Sequence, residues 1–188
     1  MNRLAIAIIC TVICCAALAP AQDNALGLYF SDSTFTPATA SAMVSPGFLT
    51  AAYIVLTNPT GAVIEGYEVG ITCTAADFGI PLTNLVFDTN LGSNVNQRVT
   101  FSLPKPALAG GTVLAAVFIS TESTAFETIS FGAASPPSLP GGLPVVDYAG
   151  SGPALCGQPW GTPAVAWLNG VPVSVEASTF GAVKAIFR

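Results

Sequence analysis

Residues 48–74, FLTAAYIVLTNPTGAVIEGYEVGITCT, constrain the fold more than any other stretch of the chain. Before Asn58-Pro59-Thr60-Gly61 the run is apolar on both faces, as in a strand buried between layers. After it the pattern alternates. Tyr67, Val69, Ile71 and Cys73 share one face, while Glu68, Gly70 and Thr72 take the other. Asn opens a type I turn, Pro presets φ at the next position and Gly suits the fourth. The stretch therefore predicts two long strands folded back on each other, with one face in a core.

The rest of the chain repeats this grammar. Short apolar runs at 26–30, 85–87, 126–132 and 145–148 read as strands, and 112–120 is apolar throughout, a second buried central strand. Residues 95–103 alternate, with Val95, Val99, Phe101 and Leu103 inward and Asn96, Arg98, Thr100 and Ser102 outward, until Pro104-Lys105-Pro106 stops them. Loops are expected at 34–47, 77–83, the proline-rich 134–144 and the irregular 149–163. Asn169-Gly170, between apolar runs at 164–168 and 171–176, predicts a hairpin whose second strand, carrying Pro172, lies at an edge.

About eight or nine short strands with regular turns and no long helix predict an all-β fold, an antiparallel two-sheet sandwich of immunoglobulin-like or cohesin-like form. A small β-barrel is the alternative. Outer-membrane strands run about 9–11 residues with short turns at one end, whereas most runs here are shorter and prolines are frequent.

The chain opens with an address. Arg3 is followed by an apolar run over 4–18 and by Ala19-Pro20-Ala21, a small-x-small cleavage pattern, so residues 1–21 are expected to be a cleaved export signal. The apolar run falls short of the about 20 residues a membrane span needs, and no lipoprotein cysteine follows it. The expected mature chain, 22–188, is 188 − 21 = 167 residues, one domain. It keeps 5 − 1 = 4 basic residues against 10 acidic ones, a net charge of −6. Such a chain repels nucleic acid and anionic membrane surfaces.

Three of the five cysteines lie in that segment, leaving Cys73 and Cys156. An even pair in an exported protein predicts a disulfide, with two separate buried thiols as the alternative. There is no histidine, which excludes a Ser-His-Asp triad, a Cys-His pair and a His-ligated zinc site. No glycine-rich phosphate cradle is present, and no cofactor is expected.

Paired carboxylates could still do acid–base chemistry. Yet Glu65 and Glu68 fall on opposite faces of a strand, and Glu122 and Glu127 flank a loop. Asp88, Asn90, Asn94 and Asn96 offer oxygens at alternate positions, a weak calcium candidate. Gly92, Ser93 and Val99 break the helical calcium-loop pattern, and an ordinary turn uses the same residues. Tyr148, Trp160 and Trp167, in or near the late loops, could stack on a sugar ring or anchor a partner, or else pack inside.

The last residues stand apart. Thr179, Phe180, Gly181, Val183, Lys184, Phe187 and Arg188 fit the ending Ser/Thr-aromatic-Gly-x-Val/Ile-Lys-x-x-aromatic-basic, with Phe180 where the pattern has Trp. In this the chain resembles uncharacterised exported bacterial β-sandwich proteins. Leu26-Gly27-Leu28-Tyr29-Phe30 and the turn at Asn58-Pro59 are similar to their bodies. The resemblance implies export and carries no activity. Val183, Ala185 and Phe187 share a strand face, which predicts a final strand closing a sheet edge, while Phe180, Val183 and Phe187 would share a helical face. A sorting tail is the alternative.

With 52% hydrophobic and only 8% charged residues, the chain carries more apolar surface than one core needs. A non-catalytic structural or interaction protein follows, self-associating or pairing with a cell-envelope protein. A carbohydrate-binding module built on the late aromatics is the second reading.

Overall fold

In the computed structural model, residues 23–84, 88–162 and 164–170 are described. They form twelve strands: β1 (Ala25–Tyr29), β2 (Ser41–Ala42), β3 (Thr50–Thr57), β4 (Val63–Cys73), β5 (Gly79–Asn84), β6 (Thr89–Asn90), β7 (Asn96–Pro106), β8 (Thr112–Ser120), β9 (Glu127–Gly132), β10 (Val145–Tyr148), β11 (Gly152–Leu155) and β12 (Ala164–Leu168). The expected strand at 85–87, the second hairpin strand at 171–176, the export signal and the C-terminal motif lie outside the described residues.

The strands build a two-sheet sandwich. One sheet has four strands in the order β1-β3-β8-β5, all antiparallel. The other is organised on β4. Its one edge takes β7, with β6 beyond. Its opposite edge is shared by two strands, β10 along the first half (Ile64 to Glu68) and β9 along the second (Gly70 to Cys73). β11 extends β10, while β12 and then β2 extend β9. The sheet therefore forks beside β4.

Both continuous apolar runs became central strands of the smaller sheet. Ala52, Ile54 and Leu56 of β3, with Leu114, Val117 and Ile119 of β8, face Tyr67, Val69 and Ile71 of β4 across the core. The alternation read in β4 holds.

The pairing of the first two long strands does not. β3 and β4 belong to different sheets, so Asn58-Pro59-Thr60-Gly61 is an arch between layers and not a hairpin. The chain changes sheet at each step from β1 to β6 and again on either side of β8, and this interleaving makes the sandwich. Phe48 and Leu49 precede β3 and are exposed. Strands also occupy stretches expected as loops, β5 over most of 77–83 and β11 within 149–163.

β7 differs from its expectation in two ways. It runs on to Pro106, because by Pro104 it has only β4 beside it and the missing N–H groups face an open edge. Between the pairs Ile64↔Lys105 and Gly66↔Thr100, β7 has several residues opposite one of β4. That bulge turns Leu103 outward to 80% exposure. Val95 also faces out, while Gln97, unremarked in the pattern, is fully buried. The Gln97 amide donates to the Asn94 carbonyl at 2.7 Å and to Thr83 Oγ1 at 3.3 Å, and its oxygen accepts from the Tyr67 hydroxyl. Every polar atom of that side chain has a partner, which is what allows it inside.

Candidate functional site

The strand directions give the sandwich two ends. At one, β3 passes to β4 through the arch, next to the loops 107–111 and 149–151. At the other, the loops 43–49, 74–78 and 121–126 meet Asn169 and Gly170.

The arch end is sealed from inside. Asn24, in the left-handed conformation (φ 52°) and nearly buried, sits beneath it. Its side-chain oxygen accepts from the Thr60 amide at 2.9 Å and from the Tyr148 hydroxyl at 2.6 Å. Its amide nitrogen reaches Thr60 Oγ1 at 2.9 Å, and its own backbone N–H donates to the Asn58 carbonyl at 2.8 Å. The Tyr148 ring lies against Gly61, where an added Cβ would stand 2.4 Å away, so glycine is needed there for packing. Burial raises the Tyr148 phenol above its ordinary value.

The other end is clasped but not covered. Asn169, also left-handed (φ 58°), accepts from the Val44 amide at 3.0 Å. It donates from its side chain to the carbonyls of Ser123 at 2.9 Å and Ala125 at 3.1 Å, and from its backbone to Ala42 at 2.8 Å. One side chain thus ties two loops to each other, 43–49 and 121–126. Carboxylates join loop 121–126 to loop 74–78 in turn: Glu127 accepts from Ser123 Oγ at 2.7 Å and from the Thr74 hydroxyl. Asp77 accepts from Thr121 Oγ1 at 3.1 Å and from the Glu122 amide, and that amide holds its carboxyl below the usual range. On this frame Met43, Phe48, Leu49 and Phe126 stand out, 79%, 70%, 56% and 51% exposed. Ordered polar loops carrying bare apolar side chains make a surface suited to another apolar surface.

The late aromatics do not form a stacking platform. Tyr148 is under the arch. Trp167 is buried, clustered with Tyr29, Ala40 and Val55. Trp160 is half-buried, edge-on to Tyr29 (ring centres 6.1 Å apart, planes at 75°), with its indole N–H on the Val165 carbonyl at 3.4 Å. Burial pushes the Tyr29 phenol up to about 12.

The oxygens of the calcium candidate have other duties. Asp88 accepts from the Ser102 amide at 3.0 Å, and Asn90 from the amides of Gly92 at 3.0 Å and Arg98 at 2.9 Å. The Asn96 side chain is clasped to the backbone of Ser135, and Asn94 uses its carbonyl on Gln97. Among the described residues no three His, Cys, Asp or Glu side chains gather to hold a metal.

Glu68 and Arg98, paired at 3.2 Å, line a concavity of about 160 Å³ on the outer face of the larger sheet. Partial burial pushes the Glu68 carboxyl up. Hydrogen bonds from Ser138, whose amide donates at 3.0 Å, together with Arg98, outweigh that and hold it below its ordinary value. These contacts pin the proline-rich loop across the sheet.

Cys73 and Cys156 are free thiols, which corrects the expected bridge. Val145 pairs with both Leu155 and Glu68, so Cys156 lies two strands from β4 and near the level of Val69. Cys73 is at the far tip of β4. Strand spacing and rise then put them more than about 10 Å apart, beyond the ~7 Å a disulfide can span. Burial pushes the Cys156 thiol up to about 12 and raises that of Cys73.

The sequence missed the exposed rim because apolar residues in a strand-rich chain read as core. One signal was available for Phe48: it follows Ser45-Pro46-Gly47, a turn with Gly47 at φ 73°, and so precedes the strand.

No family model matches the chain, and no curated protein matches it. Among solved structures, it is similar to the sixth cohesin of scaffoldin B from Acetivibrio cellulolyticus, solved in complex with a Cel5 dockerin mutant. Identity is 11%, the match covers 78% of this chain and 98% of that one, and the TM-score is 0.48.

Proposed function

We propose that the chain is an exported, non-catalytic interaction module that docks through its apolar end, with a second copy of itself or a cell-envelope protein as partner. The observation that carries this reading is the group Met43, Phe48, Leu49 and Phe126, held in the open by loops that Asn169 ties together. Isolated exposed apolar residues are ordinary on any surface. Four large ones on adjoining, hydrogen-bonded loops are a patch. The chemistry of the site is apolar contact, and the nearby carboxylates of Asp77 and Glu127 are committed to holding loops. Export rests on the basic-apolar-small pattern of residues 1–21.

Sedimentation at micromolar concentration tests it, comparing the mature protein with Phe48→Ser/Phe126→Ser. Dimers or larger species that strengthen with added sulfate and disappear in the variant are expected, with the melting temperature unchanged. A wild-type monomer at high concentration and high salt, with no binding to envelope proteins, would end the proposal.

A further inference from the structure

The concavity beside Glu68 and Arg98 is made by a glycine. Gly66 of β4 is paired with Asp147 of β10 on one side and with Thr100 of β7 on the other. Residues paired across antiparallel strands share a face, so Asp147 and Thr100 stand on the same surface with no side chain between them. Their backbones are two strand spacings apart, roughly 9.5 Å. No larger residue fits at the gap, because a Cβ on Gly66 would stand 2.4 Å from the Val99 carbonyl oxygen.

Charge says what could enter. Two residues along the strands from Gly66, Glu68 and Arg98 pair on the same face and offset each other, while Ser138 walls the concavity. Asp147 is the charge left over. It is half-buried, yet its carboxylate enters no hydrogen bond or ion pair among the described residues, and neither does the Thr100 hydroxyl. Glu68, Asp77, Asp88 and Glu127, by contrast, are each committed to amides or hydroxyls of this chain. A carboxylate partly withdrawn from water gains from a cation beside it. A hard metal ion would want about six oxygens or more, and the gap offers two free side chains. The volume of about 160 Å³ equals about five waters at ~30 Å³ each, which suits a five-atom group. Leu91 and Pro153 at its flanks are apolar.

We propose that this concavity binds a protonated primary amine on an aliphatic stem. The ammonium sits over Gly66 between the Asp147 carboxylate and the Thr100 hydroxyl, and the methylenes lie on the apolar flank at Leu91. An ammonium has three donors, so it serves both oxygens at once. A free alkylamine and the lysine side chain of a partner carry this same group. The site is on the sheet face toward the arch end of β4, so it is independent of the apolar rim at the other end.

An NMR titration of the isotopically labelled mature chain tests it, with n-butylamine at neutral pH, where the amine is protonated, and the uncharged 1-butanol as control. The amine is expected to give saturable shifts centred on the amides of Gly66, Thr100 and Asp147, with a dissociation constant on the order of a millimolar. The alcohol should give none. Asp147→Asn keeps the shape and removes the charge, and should weaken amine binding about tenfold or more. An N-acetylated, C-amidated Gly-Gly-Lys-Gly-Gly peptide separates the sources: binding tighter than butylamine assigns the site to a partner's lysine, and binding no tighter assigns it to a free amine. Shifts that 1-butanol reproduces, shifts that persist unchanged in Asp147→Asn, or no saturation by either butylamine or the peptide would overturn the proposal. The alcohol control is made on the parent chain and holds even if the variant folds poorly.

Discussion

The two ends of the sandwich are each organised by an asparagine in the left-handed conformation, Asn24 at φ 52° and Asn169 at φ 58°. What stands behind each asparagine differs. Asn24 is nearly buried and works with the buried Tyr148 and with Thr60, so the arch end is a piece of core. Asn169 binds the carbonyls and amides of loops whose apolar side chains stay outside. The same residue in the same backbone state closes one end and merely frames the other. A sealed end contributes stability, and a framed apolar end leaves a surface available for contact.

The widest separation between the ends should come from their aromatics. Tyr148→Ala empties a buried site and is expected to cost about 3–5 kcal/mol, as large-to-small core changes do. Phe48→Ala, with the ring already in water, should stay within about 0.5 kcal/mol. Urea denaturation of both measures the contrast. Equal losses would erase the distinction between the ends.

Asn24→Ala comes next, at about 3 kcal/mol, because water can reach the part-buried Thr60 end of the network and keeps each loss near the low end of its range. It strands the Tyr148 hydroxyl and the Thr60 amide at about 1–3 kcal/mol each. It also asks alanine to hold a left-handed φ, a further ~1 kcal/mol. Asn24→Gly separates the two parts, because glycine removes only the backbone cost. A glycine variant as stable as the parent would show that the network itself contributes nothing.

Much of the fold was legible because burial leaves a periodic trace. The continuous runs in β3 and β8 and the alternation in β4 were each placed correctly. The arch was not, since Asn-Pro-Thr-Gly makes the same local turn whether the next strand pairs in one sheet or crosses to another. The crossing is decided by Asn24 and Tyr148, which are remote in sequence. Leu103 fits the inward phase, but a bulge set by the pairing of β7 with β4 turns it out. The rim was hidden for a related reason: Phe126 borders a strand, and only the fold shows its ring left half-exposed beside Gly170.

The core between the ends answers to pH. Burial raises the Cys156 thiol from 9.0 to about 12 and the Tyr29 phenol from 10.0 to about 12. In both groups the folded state holds its proton beyond the pH at which the unfolded chain releases it. Their stabilisation is therefore complete below pH 9 and is lost as pH climbs toward about 12. Between pH 9 and 10 Cys156 alone should lower stability by about 1 kcal/mol, a share of the dependence that Cys156→Ala removes. Denaturant melts at those two pH values measure it. The denatured protein should titrate two thiols, where a bridged pair would titrate none.

The smallest effect belongs to the clasp itself. Asn169→Gly keeps the left-handed backbone at no cost and deletes only the side chain that joins residue 44 to residues 123 and 125. Water can reach these half-exposed groups and replace most of the lost bonds, so global stability should fall by about 1 kcal/mol or less. The local consequence should be larger than the global one. Freed from each other, the loops bearing Met43, Phe48 and Phe126 lose their common frame, and the Val44 amide should exchange faster while amides of β3 and β8 keep their protection. The apolar side chains would remain but no longer as one ordered surface, so self-association should weaken although no contact residue has changed. A fall in stability as large as that of Asn24→Ala would mean that Asn169 also holds core, and that the two ends are closed in the same way.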